Sequence, residues 1–206
     1  LEVPDRNGVR MNIFLGYDTI AEYQADSCWC GLLCGPMAGR ISGASFELDG
    51  KHHELETNDG TSCLHSGSTG FSHSVWHGET FVSMAAAGVR FRISTFPGQW
   101  GFPGAIEVSA TYTLGHNSLT LAWEAETSVP TVLAPAFHGY FNLGGDRATS
   151  IVDHRLALDA DRFMPLDEQH LPQMPESVEG TPFDFRAPRS PDHAPWASDR
   201  QIKLGN

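Results

Sequence analysis

An all-β fold is what this chain of 206 residues predicts, and three observations predict it. Its most regular stretches alternate apolar and polar residues with a period of two. Turn signals separate the strand-like runs at intervals of about 8 to 12 residues, the spacing of a sandwich or barrel rather than of alternating β and α units. No stretch of comparable length carries apolar residues at helical spacing. Gly (21) and Pro (13) together make up about one residue in six, which suits a chain of many turns.

In chain order, Leu1 to Gly8 reads as a strand end running into a turn. Phe46 and Leu48 precede Asp49-Gly50, the pair that best tolerates the positive φ angles of a tight hairpin turn, and Lys51 to Leu55 returns. Val89, Phe91 and Ile93 alternate with Arg90, Arg92 and Ser94, predicting a strand that ends before Pro97-Gly98. From Ala105 to Glu126 the alternation is clearest. Ile106, Val108, Ala110, Tyr112 and Leu114 lead into Gly115-His116-Asn117, and Leu119, Leu121, Trp123 and Ala125 resume the period, predicting a hairpin with one buried face. The Pro-rich stretch from Pro182 to Pro195 reads as a long ordered loop or an excursion across the surface. No repeat, low-complexity tract or composition shift marks a linker, so residues 1–206 read as a single domain.

Composition excludes several function classes. Thirteen Lys and Arg against 25 Asp and Glu give a formal net charge of -12, a field that repels phosphate backbones and anionic membrane surfaces. Neither nucleic acid nor membrane is an expected partner, and no apolar run approaches the ~20 residues of a membrane-spanning helix. Four cysteines, Cys28, Cys30, Cys34 and Cys63, are too few for a disulfide scaffold, and the C-x-C-x3-C spacing of the first three is not that of a zinc site. They read as buried or idle thiols in a reducing compartment, the cytoplasm. Motifs of the HExxH, P-loop, GxGxxG and GxSxG types are absent, which removes zincins, nucleotide-binding folds and the common serine hydrolases.

Ten histidines are many for this length. His52 and His53 are strand neighbours and point to opposite faces, so they cannot serve one site together. His73 and His77 are four apart, but Trp76 and Gly78 speak against the helix that paired zinc ligation would need. His65 lies in a Gly- and Ser-rich loop, Asn58 to Phe71, that leaves its imidazole accessible. His138 lies in Pro135-Ala-Phe-His-Gly-Tyr-Phe-Asn-Leu-Gly-Gly145, among aromatics at a strand end. An imidazole beside aromatic faces and an amide such as Asn142 is the equipment of a sugar site, because a pyranose presents apolar C–H faces and a rim of hydroxyls.

These motifs stand in a longer series. Leu15-Gly-Tyr-Asp18 with Tyr23, Gly35-Pro-Met-Ala-Gly-Arg-Ile41, Asn58-Asp-Gly60, Leu64-His65, Gly70-Phe71 with Trp76, Gly101-Phe-Pro-Gly104, His138-Gly-Tyr-Phe-Asn-Leu143, Asp153-His154, Pro165-Leu-Asp-Glu168 and Gly180-Thr-Pro-Phe-Asp-Phe-Arg186 follow one another along nearly the whole chain. In order and spacing this series resembles the aldose 1-epimerase (galactose mutarotase) family. The resemblance implies a large twisted antiparallel β-sandwich of the galactose mutarotase-like kind. It also implies interconversion of the α and β anomers of a free aldose, with a small-molecule sugar as partner and no metal or organic cofactor. The reaction needs a base for the anomeric hydroxyl and an acid for the ring oxygen. By similarity His138 is the catalytic acid. His65 assists catalysis and holds a hydroxyl near the ring oxygen, and Arg40 donates hydrogen bonds to sugar hydroxyls. Asn58 and Tyr140 complete the set as substrate-binding candidates, with ordinary alternatives as a turn residue and a core residue.

Departures from the family pattern set further expectations. Pro36 stands where the family has an Arg, and the family's Leu-His-Gly-Gly becomes Leu64-His65-Ser66-Gly67, a mild change unless the loop needs its second residue at positive φ. The family's glutamate base follows a Leu-Gly-Asn-like stretch, here Leu204-Gly205-Asn206, and no Glu of this chain matches it; Glu176 and Glu179 are not substitutes. A start without Met and the strands lacking relative to the family suggest a portion of a longer mutarotase. A sugar-binding sandwich without a base is the alternative reading. A hexose 6-phosphate epimerase is another, and it would need a basic cluster that the motifs lack. Oligomeric state and the preferred aldose have no signature in these residues.

Overall fold

The computed structural model describes residues 1–145, 150–191 and 198–204. Residues 192–195 of the Pro-rich stretch and Gly205-Asn206 lie outside the described residues. The chain forms two compact units, a terminal unit of Leu1–Leu32 with Phe137–Asn206 and a central unit of Leu33–Ala136. The terminal unit opens with β1 (Glu2–Pro4), β2 (Arg10–Asn12) and a short helix, α1 (Ile20–Ala25). The central unit contains β3 (Leu33–Cys34), β4 (Arg40–Ile41), β5 (Ser45–Leu48), β6 (Lys51–Glu54), β7 (Cys63–Leu64), β8 (His77–Val82), β9 (Ala87–Ser94), β10 (Ile106–Leu114) and β11 (Leu119–Thr127). The chain returns to the terminal unit through β12 (Ala136–Phe137), followed by β13 (Arg162–Phe163), β14 (Glu176–Ser177) and α2 (Arg200–Leu204).

Both predicted hairpins, at Asp49-Gly50 and over residues 105–126, are present. The strand end and turn read in Leu1 to Gly8 form part of a further hairpin, in which Glu2 pairs with Asn12 and the Asp5 carboxylate accepts from the backbone N–H groups of Asn7 and Val9 to close the turn. In the β5–β6 hairpin Asp49 and Gly50 take φ values of 51° and 71°, the two consecutive left-handed residues of a turn matched to strand twist. His53 stacks on Phe46 with ring centroids 5.0 Å apart while His52 is exposed, as neighbours on a strand must diverge.

The main sheet of the central unit is antiparallel, in the order β11-β10-β9-β8. Val108 sits opposite Ile93 on one side and Ala125 on the other, which places the apolar residues of β9 and β10 on a common face. Ile106, Val108 and Ala110 are fully buried there, and Phe71 and Phe102 complete the packing. The single buried face is real at this end. Toward Gly115 it is not, because Leu114 and Leu119 are 49% and 40% exposed. Periodicity states which residues share a face; it carries no information on where the covering residues stop.

Phe71 joins this core to the loop that follows His65. Its ring meets Trp76 and Trp100 edge-on at 5.2 and 5.7 Å, its N–H donates to Gly35 O at 2.8 Å, and a Cβ on Gly35 would stand 2.4 Å from the ring. Gly35 is therefore required by close approach rather than by its φ. Phe102, 1% exposed and in ring contact with Phe46, closes the other side of the cluster. Replacing Phe102 by Ala is expected to cost about 3–5 kcal/mol through lost burial and a residual cavity, read from the denaturant midpoint of unfolding.

Candidate functional site

In the central unit the short ladder of β4 and β7 sets Arg40 opposite Leu64 and Ile41 opposite Cys63. Beyond the ladder the pairing continues for one residue: His65 N–H donates to Gly39 O at 2.9 Å, and Gly39 N–H donates back to Nδ1 of the His65 imidazole at 3.0 Å. A ring nitrogen that accepts a backbone N–H carries no proton, so the proton of this half-buried imidazole sits on Nε2, and Nε2–H is a donor.

The backbone then takes three left-handed residues in succession, His65 at φ 52°, Ser66 at 68° and Gly67 at 87°. For the two non-glycine residues this conformation costs roughly 1–2 kcal/mol each. Local bonds hold it. Ser66 Oγ accepts from Met37 N–H at 2.8 Å and donates to Met37 O at 3.0 Å, and Gly67 N–H donates to Leu64 O at 3.0 Å. The condition attached to the Ser66 departure is thus met: the loop does place that residue at positive φ, and the serine hydroxyl supplies bonds that a glycine would lack.

Asn58 has a definite place in this arrangement. Its Nδ2 donates to Leu64 O at 3.0 Å and its Oδ1 accepts from Leu64 N–H at 2.7 Å, so the carboxamide clamps the residue before His65. Arg40 Nε donates to Asp59 Oδ2 at 2.5 Å, with the two side chains 24% and 37% exposed. Asp59 is itself held in a tight turn by paired backbone bonds with Ser62.

The terminal unit holds the other candidates. His138 is half-buried, its ring 5.2 Å from that of Tyr140 and 6.4 Å from that of Trp29. Both of its backbone groups are engaged, N–H with Leu32 O at 2.9 Å and O with Gly31 N–H at 2.8 Å. Tyr140 is 41% exposed and its hydroxyl donates to Cys28 O at 3.3 Å. Asn142 is 6% exposed, and its side-chain oxygen accepts from Gly144 N–H at 2.9 Å within its own turn.

Asp26, which the sequence reading did not single out, organises the loop beside His138. It follows α1, whose start is closed by reciprocal bonds between Thr19 and Glu22. Its carboxylate accepts from the N–H groups of Cys28 at 2.8 Å and Cys30 at 2.6 Å and from the Tyr17 hydroxyl at 2.8 Å. Partial burial pushes the Asp26 carboxyl up, but these donors, with a smaller electrostatic contribution from nearby His138, outweigh it and hold the group below the ordinary carboxylate range. The same hydrogen bond pushes the Tyr17 hydroxyl up to about 12.

None of the four cysteines is disulfide-bonded. Cys28 is exposed and the other three are buried, and burial pushes the Cys34 thiol up to about 12. Among the described residues no three His, Cys, Asp or Glu side chains gather as a metal site would require. A shallow cavity of 380 Å³ lies on β9–β11, lined by Arg92, Glu107, Ser109, Glu124 and Glu126 among others, and contains no candidate residue.

The sequence profile of one family, aldose 1-epimerase, matches residues 1–196. A galactose mutarotase of Bos taurus is 36% identical over 189 residues, 91% of this chain and 54% of the relative. An aldose 1-epimerase of Haemophilus influenzae is 35% identical over 174 residues, 81% of this chain and 49% of the relative. Among solved structures, a galactose 1-epimerase from Lactobacillus acidophilus NCFM superposes with a TM-score of 0.84 at 30% identity, covering 95% of this chain and 58% of that one. A GalM/aldose epimerase homologue from C. elegans gives the same TM-score at 31% identity, covering 92% and 57%. The chain spans about half the length of the curated relatives it matches. The all-β expectation is met, in the fold of the aldose epimerases.

Two outcomes are expected of the loops. Because the folded Asp26 carboxyl is lowered from 3.8, its stabilising contribution is complete above that unfolded value and is lost as pH falls through the lower native one. Urea unfolding at a series of pH values below about 4 should therefore show a smaller acid-induced loss for Asp26→Asn than for the unaltered chain. At the other loop, Ser66→Ala keeps the backbone strain and removes both hydroxyl bonds, for a cost of about 1–3 kcal/mol. Ser66→Gly removes the strain as well as the bonds, so thermal denaturation should find it the more stable of the two.

Proposed function

We propose, since this chain belongs to the aldose 1-epimerase family, that it acts in the interconversion of the α and β anomers of free aldohexoses such as galactose and glucose. The observation that carries the reading is the setting of His138: half-buried, with its ring near those of Trp29 and Tyr140 and its backbone fixed on both sides. Imidazole is the side chain suited to giving and recovering a proton near neutrality. His138 serves as the acid that protonates the ring oxygen. The C1–O5 bond breaks as the anomeric hydroxyl gives its proton to a base, the aldehyde forms, the C1–C2 bond turns, and closure on the other face reverses both proton transfers.

The remaining roles follow from the donors that each group can offer. His65, with its proton on Nε2, donates to a sugar oxygen; it assists catalysis by holding that oxygen rather than by exchanging a proton at Nδ1. Arg40 always donates, since guanidinium has no acceptor. Asn58 acts through Leu64, as a positioning residue for His65. Tyr140 and Trp29 offer faces to the apolar C–H surface of the pyranose. No glutamate of residues 1–206 is assigned as the complementary base. The family match runs across both units, which supports reading them as parts of one domain. The cytoplasm is the proposed compartment. No helix among the described residues is long and apolar enough to cross a membrane.

Polarimetry of freshly dissolved α-D-galactose or α-D-glucose tests the reading. Faster approach to rotational equilibrium than in buffer is expected, and a rate at the buffer value would reject it in favour of a sugar-binding module. His138→Asn is expected to lower turnover by ~10²-fold or more, as loss of a proton-transferring group does.

A further inference from the structure

The ion pair between Arg40 and Asp59 leaves most of its hydrogen-bonding capacity unused. Arg40 engages one of its five N–H donors, on Nε, and Asp59 engages Oδ2. Among the described residues neither side chain has another partner, so the four Nη–H groups and Oδ1 remain available on paired groups that are 24% and 37% exposed. A pair serving stability alone would contribute little at such exposure. The surroundings nevertheless fix both ends. Arg40 lies on the β4–β7 ladder, Asp59 lies in the turn closed by Ser62, and Asn58 between them clamps Leu64.

We propose that Asp59 is a further substrate-binding residue, and that Arg40 and Asp59 read two neighbouring hydroxyls of the aldose as a unit. This rests on the sugar-site reading above. A sugar hydroxyl is both donor and acceptor, and a guanidinium can satisfy only its lone pairs. The hydroxyl proton of a bound diol therefore needs an acceptor, and Asp59 Oδ1 supplies one at the side of the donor. The guanidinium accommodates the lone pairs of one hydroxyl while the carboxylate takes the proton of the next. Because both groups are pre-positioned by main-chain bonds, little ordering accompanies binding. The pair also has no net charge. Asp59 offsets the one basic side chain of this cluster and would repel a phosphate dianion, so the site selects neutral aldoses over their phosphate esters.

The test separates recognition from mere support of Arg40. Dissociation constants of galactose and its 2-, 3-, 4- and 6-deoxy derivatives, at anomeric equilibrium, are measured by NMR titration for the unaltered protein, Asp59→Ala and Asp59→Asn. Asp59→Ala should weaken galactose by about tenfold or more, the usual worth of a hydrogen bond to a charged group. For one monodeoxy sugar that penalty should vanish, because the hydroxyl read by Asp59 is already gone. Asp59→Asn, which keeps the shape and one acceptor oxygen, should show a smaller penalty with the same dependence on the deoxy position, and it carries the comparison if the alanine variant does not fold. An equal penalty for every sugar would overturn the proposal and leave Asp59 as a prop for Arg40, as would no penalty at all. An unaltered protein that binds no aldose would instead overturn the sugar-site reading, and this proposal with it.

Discussion

Three left-handed residues in a row, His65 to Gly67, set the constraint on which the central-unit site depends. A chain enters such a segment only where surrounding bonds over-determine it. Here they come from both sides: Asn58 grips Leu64 before the segment, Ser66 bridges both backbone groups of Met37 within it, and Phe71 anchors to Gly35 after it. The result brings the His65 ring back onto Gly39, next to Arg40 in sequence, so that tautomer and orientation are settled by the same hydrogen bond. An extended chain at these positions would carry the imidazole away from β4.

The terminal unit solves a similar problem with charge. His138 is held by its main chain to residues 31 and 32, and the loop before them is shaped by a carboxylate that gathers three donors. One consequence is Trp29 at φ 52°, with its ring beside that of His138. The two units therefore use different devices, a hydroxyl bridge in one and an ionised side chain in the other. Both devices fix a histidine through local backbone contacts.

Much of this was legible in the residues. The Asp49-Gly50 hairpin, the β10–β11 hairpin and the facing of β9 follow from alternation and turn chemistry, both of which are local. His65, His138 and Arg40 were legible through motifs whose order resembles a family. The partners of Asp26, Ser66 and Asp59 were not legible, since each resembles an ordinary polar loop residue until the fold brings those partners close. Asn58 was legible as a candidate and its partner Leu64 was not, because a turn-forming amide, a clamping amide and a sugar-binding amide have the same sequence appearance.

The amino-acid order by itself determined the strand class, the β5–β6 and β10–β11 hairpins and the motifs that contain His65 and His138, because these depend on residue type and near-neighbour spacing. Tertiary structure alone decided that Ser66 sits at positive φ, that Nδ1 of His65 is occupied, that Asn58 serves Leu64 and that Asp59 stands against Arg40. Each of these is a hydrogen bond whose partner is brought close by a turn or a strand pairing, or a backbone angle that such bonds impose. A linear pattern names the donors and acceptors but holds no record of the distances at which the folded chain sets them.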